Sequence, residues 1–221
     1  MTLSRAELAR YLETTILNPD ATRQEIVQLC EDALKYNFVV VCCHPAWVPL
    51  AHSILQGSPV RLMTPVGFPF GANTTACKVF EAQDAIRNGV DEIDTMMFLG
   101  AFKDRDYRAV QEDIAAVIQV AGGRTVKVII ETALLSQEEK VTACEIAVAA
   151  GAHFVKTSSG NALPGATVED IRLMRRTVGP DFGVKASGGI TDLDTVLAFI
   201  AAGADRIATR VAVDILHALP E

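Results

Sequence analysis

Between residues 11 and 209 the chain holds eight short runs suited to buried strands, separated by longer amphipathic segments, and this alternation limits the folds open to it. The runs are YLETTIL (11–17), FVVVCC (38–43), VRLMTPV (60–66), DEIDTMM (91–97), TVKVIIE (125–131), HFVKTS (153–158), FGVKA (182–186) and DRIAT (205–209). Helical patterns lie between them, at 73–88, 104–121 and 136–150 among others, and the last opens with Ser136 and Glu139 in capping-box spacing. Gly89, Gly151 and Gly203 each stand where a helix would end in a left-handed turn before the next strand. Strands separated in this way pair in parallel through right-handed crossovers. Eight such units in 221 residues predict an α/β fold, a single (β/α)8 TIM-barrel domain over 1–221 with a short helix at 4–10 across its bottom. An open doubly wound sheet is the alternative, but no GxGxxG follows the first strand and no composition break divides the chain.

Charge narrows the partners. Asp and Glu outnumber Lys and Arg 27 to 20, the net charge is −7, and no basic run is present, which argues against a nucleic-acid or anionic membrane surface. A small molecule is the expected partner. No apolar stretch reaches the ~18 residues of a membrane-spanning helix. The five cysteines are an odd set without disulfide-like spacing, and no signal-peptide pattern opens the chain, so reduced thiols in a cytoplasm are expected. His44, His52, His153 and His217 are scattered without HxH or HExxH spacing, and neither a metal nor another cofactor is expected. Cys42 and Cys43, adjacent in a strand, face opposite ways, so Cys43 is assigned to packing.

Lysines in strands are the anomaly. Burying an ammonium is costly unless it is paired or neutralised, yet Lys127, Lys156 and Lys185 fall within the fifth, sixth and seventh strands. At similar heights all three could point into the barrel mouth, where active sites of this architecture form, with Asp94 of the fourth strand as the nearest carboxylate. Two ammonium groups in a poorly solvated pocket raise each other's energy, so one loses its proton below the ordinary lysine pKa of ~10.4. A neutral amine attacks a carbonyl carbon and forms a Schiff base, whose iminium accepts electrons as a neighbouring C–C bond breaks. The second lysine and Asp94 would then move protons. The alternative for Lys127 is simple pairing with Glu131 or Asp94.

The loops after the sixth and seventh strands carry anion-binding features. Gly188 and Gly189 let the backbone approach a phosphate closely, and Thr157, Ser158, Ser159 and Gly160 add hydroxyl and amide donors.

In this order and spacing, VGFPFGANTT, DEID, VKVIIETALL, FVKTSSG and GVKASGGI resemble the deoxyribose-phosphate aldolase family over almost the whole chain. The resemblance implies a (β/α)8 barrel that reversibly cleaves 2-deoxyribose 5-phosphate to glyceraldehyde 3-phosphate and acetaldehyde without a metal. It implies Lys156 as the Schiff-base lysine, Lys185 as the lysine that perturbs it and shuttles protons, and Asp94 as the acid beside Lys185. Cys42 matches a cysteine lining the pocket, and Gly160, Gly188 and Gly189 match glycines near the phosphate. Three positions depart from the family pattern. Glu13 replaces the usual Asp of the first strand, Asn161-Ala162-Leu163-Pro164-Gly165 replaces a glycine-rich or cationic loop, and Arg210-Val211 stand where adjacent serines usually bind phosphate. Arg210 either takes over the anion as a bidentate donor or turns outward to an acid. A different aldehyde acceptor, or a non-catalytic barrel binding a phosphorylated ligand, are the competing readings. Symmetric dimers or tetramers are the expected assembly.

Overall fold

The computed structural model describes residues 3–161 and 164–220. The loop expected over 161–165 therefore falls partly outside the described residues, at 162 and 163. Eight parallel strands close into a barrel in sequence order: β1 (Leu12–Ile16), β2 (Val40–Cys43), β3 (Arg61–Val66), β4 (Glu92–Met96), β5 (Thr125–Ile129), β6 (Phe154–Lys156), β7 (Gly183–Ser187) and β8 (Arg206–Thr209), with β8 pairing back onto β1. All eight expected strands are present, each within a few residues of its predicted span.

Helices surround the sheet. They are α1 (Arg5–Ala9), α2 (Arg23–Tyr36), α3 (Val48–Leu55), α4 (Thr75–Arg87), α5 (Leu99–Lys103), α6 (Tyr107–Ala121), α7 (Gln137–Ala149), α8 (Val168–Val178), α9 (Leu193–Ala202) and α10 (Ala212–Ala218). The capping box expected at Ser136 and Glu139 opens α7, with the Ser136 hydroxyl accepting from the Glu139 amide and the Glu139 carboxylate accepting from the Ser136 amide. Gly89, Gly151 and Gly203 adopt φ of 104°, 86° and 107°, as the helix-ending turns require. The helix expected over 104–121 is α6, which begins three residues later, at Tyr107. Arg105 at φ 63° separates it from α5, and the Asp106 carboxylate caps α6 by accepting from the Ala109 amide.

Two cores result, of opposite character. The layer between barrel and helices is a continuous aliphatic cluster including Leu12, Val41, Cys43, Leu62, Ile93, Val126, Val128, Val155, Val184 and Ile207. Inside the barrel, Val40, Cys42 and Met63 form a small separate apolar cluster. Beside it the interior holds six charges: Glu13, Glu92, Asp94, Lys127, Lys156 and Lys185 are all buried. Barrels of this kind ordinarily fill that volume with branched aliphatic residues. Three carboxylates facing three ammonium groups make an exception that only mutual pairing sustains.

Candidate active site

Strand register explains how the charges meet. Asp94 pairs with Lys127 across β4 and β5, and Lys156 pairs with Lys185 across β6 and β7, whereas Lys127 faces Phe154, two residues before Lys156. Lys156 and Lys185 are therefore direct neighbours, and Asp94 reaches both: its Oδ2 accepts from Lys156 Nζ at 2.8 Å and from Lys185 Nζ at 2.8 Å. Lys185 Nζ also donates to Glu13, and Lys127 Nζ to Glu92. Lys127 Nζ stands 3.3 Å from Asp94 Oδ1 and 3.8 Å from Glu13 Oε1. Met63 Sδ lies between the two lower lysines, 3.2 Å from Lys127 Nζ and 3.6 Å from Lys185 Nζ.

Burial and pairing pull the titrations in opposite directions. Burial alone raises the Asp94 carboxyl, but Lys156, Lys185 and Lys127 around it hold it well below the usual carboxylate range. For Lys185, burial prevails over the attraction of Asp94 and Glu13, and with Lys156 and Lys127 adding repulsion it loses its proton more easily than a free lysine. Lys156 is opposite: burial lowers it, yet Asp94, with Glu13 behind it, holds its proton more tightly. Of the two, Lys185 is thus the more readily neutral amine and Lys156 the more firmly protonated, the reverse of an arrangement in which Lys156 rests as the free amine. Because both donate to one carboxylate oxygen, that oxygen offers a proton a path between them within the site.

Above this group opens a pocket at the C-terminal ends of the strands. Lys156, Cys42, Thr15 and Phe68 lie on its wall, together with Ser159, Gly160, Asn161 and Ser187 to Thr191 from the loops, and Thr209, Arg210 and Val211 from the end of β8. Among the described residues, Lys156 and Arg210 are the charged groups on that wall. Burial pushes the Cys42 thiol up to about 12, so it is a neutral wall residue. Gly160, Gly188 and Gly189 adopt φ of 80°, 91° and 72°, and their backbone amides find no acceptor among the described residues. Arg210 is exposed and makes no ion pair among the described residues, so the outward pairing considered above does not occur.

Of the residues singled out in the sequence, Lys156, Cys42, Gly160, Gly188, Gly189 and Arg210 line the pocket, and Asp94 and Lys185 lie directly beneath Lys156. Glu13, Lys127 and Thr157 are fully buried and do not line it. Glu13 and Lys127 sit one layer lower, where each neutralises another buried charge. Thr157 follows the inward Lys156 and so faces the other way. Its hydroxyl donates to the Ser187 carbonyl at 3.1 Å and accepts from the Ser187 amide at 3.0 Å, tying the two pocket loops together. Lys127 does not pair with Glu131, whose carboxylate instead accepts from the Ser159 amide. Glu92 was not foreseen as its partner, nor Thr15 as a wall residue, although each stands two positions from a recognised inward residue: Asp94 and Glu13. Trp47 packs against the outer core, away from the pocket. No three His, Cys, Asp or Glu side chains among the described residues are grouped so as to hold a metal ion, and no helix among them is long and apolar enough to cross a membrane.

Comparison with known proteins gives the same direction. The family model described as DeoC/LacD family aldolase matches residues 11–214. The deoxyribose-phosphate aldolase of Macrococcus caseolyticus (strain JCSC5402) is 54% identical over 209 residues, covering 95% of each chain. That of Lysinibacillus sphaericus (strain C3-41) is 52% identical over 212 residues, 96% of this chain and 95% of its own. The solved deoxyribose phosphate aldolase of Aeropyrum pernix, described as having a unique tetrameric structure, superposes with a TM-score of 0.92 at 29% identity over 97% of this chain and 92% of that one.

Proposed function

This chain belongs to the DeoC/LacD family of aldolases, and on that footing we propose that it reversibly cleaves 2-deoxyribose 5-phosphate to glyceraldehyde 3-phosphate and acetaldehyde through a Schiff base on Lys156. The observation that carries this reading is the placement of the lysines: of Lys127, Lys156 and Lys185 inside the barrel, Lys156 alone reaches the pocket, and one oxygen of Asp94 couples it to Lys185.

Lys185, the more readily neutral amine, takes the proton of the Lys156 ammonium by way of Asp94 Oδ2. The freed Lys156 amine attacks the aldehyde carbon of the open-chain sugar, and the carbinolamine loses water to give an iminium. Its electron demand draws in the C2–C3 bonding pair as the C3 hydroxyl gives up its proton, releasing glyceraldehyde 3-phosphate and leaving an enamine. Protonation of the enamine carbon restores the iminium. Addition of one water, matching the one lost, releases acetaldehyde and the Lys156 amine. Proton transfer between positioned groups contributes roughly 10²- to 10⁴-fold, and here Asp94 and Lys185 supply it. The amides of Gly160, Gly188 and Gly189, with the guanidinium of Arg210, receive the phosphate. Support for an assembly of identical subunits, a dimer or tetramer, comes from the tetrameric relative. A reducing cytoplasm suits the five free cysteines.

A retro-aldol assay following acetaldehyde release tests the reading, with 2-deoxyribose 5-phosphate and unphosphorylated 2-deoxyribose compared. Turnover with clear preference for the phosphorylated sugar is expected. Turnover of neither sugar, with activity on an aldehyde adduct bearing a carboxylate, would move the reading to another acceptor, since a guanidinium fits carboxylate as well as phosphate.

A further inference from the structure

Glu131, at the end of β5, is strained and buried at once. Its backbone is left-handed, φ 55° and ψ 66°, a region few non-glycine residues adopt and one that carries strain. Its side chain is 2% exposed, and the carboxylate accepts from the Ser159 amide at 3.1 Å through Oε2 and 3.3 Å through Oε1. As a stabilising device this is poor, because a buried carboxylate that among the described residues accepts from one neutral amide recovers little of its lost hydration. What it achieves is placement.

On either side of Glu131 the backbone of β5 continues to hold the backbone of β6: the Ile130 amide donates to the Lys156 carbonyl at 3.0 Å and the Thr132 amide to the Thr157 carbonyl at 2.9 Å. Between those two bonds, the left-handed turn swings the Glu131 side chain under the next residues of the same loop. Ser159 is thereby fixed, and its hydroxyl in turn accepts from the Asn161 amide at 3.2 Å. Ser159, Gly160 and Asn161 all lie on the pocket wall, and the Gly160 Cα sits against the Gly188 backbone. One carboxylate therefore sets the distance between the Schiff-base lysine and the amides three to five residues beyond it.

We propose that Glu131 is a positioning residue for the anionic end of the substrate, holding the 159–161 loop so that its backbone can receive a phosphate. This rests on the reading that the phosphate lies at that loop. The conformation is chosen for where it aims the side chain, and the strain of the left-handed backbone is carried for the same reason.

The test is binding of inorganic phosphate by calorimetry to the wild-type protein and to Glu131→Gln, Glu131→Ala and Glu131→Gly, together with steady-state kinetics on 2-deoxyribose 5-phosphate. Loss of a hydrogen bond that orders a binding loop predicts a phosphate Kd raised about tenfold in Glu131→Ala. KM should rise more than kcat falls, and Glu131→Gln, which keeps an acceptor for the Ser159 amide, should recover most of the loss. Glu131→Gly relieves the backbone strain while removing the anchor, so it should weaken phosphate binding without lowering the melting temperature. A purely structural role predicts the opposite for that variant: lower stability with phosphate affinity intact. Wild-type affinity for phosphate in Glu131→Ala, or no phosphate binding by the wild-type protein, would overturn the proposal. A wild-type protein that binds phosphate in a Glu131-dependent way but does not cleave the sugar phosphate overturns only the proposed function.

Discussion

Lys156 and Lys185 stand opposite each other on paired strands and donate to the same oxygen, Asp94 Oδ2, each at 2.8 Å. Only Lys156 also touches the pocket. The division of labour follows from that asymmetry: the lysine that can meet a carbonyl holds its proton more tightly, and the lysine sealed beneath it gives its own up more readily.

The pH profile should report this pair as a unit, with an apparent acid limb below the ordinary lysine range. Lys185 is lowered chiefly by burial, and Asp94 is the strongest influence opposing that. Removing the Asp94 charge removes the largest upward pull on both lysines, so in Asp94→Asn the limb should move to lower pH. At the same time kcat should fall at least about a hundredfold, through loss of the proton relay. The rate of acetaldehyde adduct formation against pH measures the limb directly. A limb that moves to higher pH in this variant would contradict the assignment.

Lys127 and Glu92 should matter to stability first. Both are buried, and burial lowers Lys127 less than Glu13, Asp94 and Glu92 raise it, so it is charged at neutral pH. Lys127→Met leaves three carboxylates facing two ammonium groups, which predicts a loss of about 3–5 kcal/mol, or a melting temperature lower by roughly 10 °C. The double variant Lys127→Met/Glu92→Leu removes a balanced pair and should recover most of that loss. The sign of the pH dependence follows from the raised pKa. The stability contributed by Lys127 is complete below the unfolded-state lysine pKa of ~10.4 and disappears as pH rises through the higher folded value. Melting curves of both variants across alkaline pH measure it.

Much of this was legible in the sequence because the period-two pattern of strands and the glycines at helix ends are local signals. The inward-facing Lys156, Lys185 and Asp94 follow from the same alternation. The vertical placement of Lys127 and Glu13 was not legible, because barrel closure decides it. Glu13 on β1 meets Lys185 on β7 only through the ring of pairings, 172 positions apart in the chain. For the same reason Glu131 read as a partner for Lys127, when a left-handed turn sends it to Ser159. The start of α6 at Tyr107 was not legible either, because the left-handed turn at Arg105 carries no glycine to mark it.

Arg210 should discriminate substrates by their charge. A charge-assisted hydrogen bond to phosphate is worth about 1.5–3 kcal/mol, so Arg210→Ala should raise KM for 2-deoxyribose 5-phosphate by roughly 10- to 100-fold. Unphosphorylated 2-deoxyribose should suffer much less, and added phosphate should inhibit the variant more weakly. Equal losses on both sugars would place Arg210 outside anion recognition.

Gly165 should be intolerant for a steric reason alone, since its φ is not in the left-handed region. A Cβ there would come within 1.9 Å of the Gly188 carbonyl oxygen. Gly165→Ala must push the 188 loop away, and a displacement of ~1 Å at a binding site can reduce efficiency up to about a hundredfold. Kinetics on the phosphorylated sugar, with thermal unfolding as a control for folding, separates this from general damage.

Covalent capture of the lysine tests the central claim most directly. Acetaldehyde and borohydride added together reduce the iminium to a stable N-ethyl group, read by intact mass and peptide mapping. The account predicts one such group on the wild-type protein, located on Lys156, absent in Lys156→Ala and formed far more slowly in Lys185→Ala. An adduct mapping to Lys185, or no adduct at any pH, would contradict it.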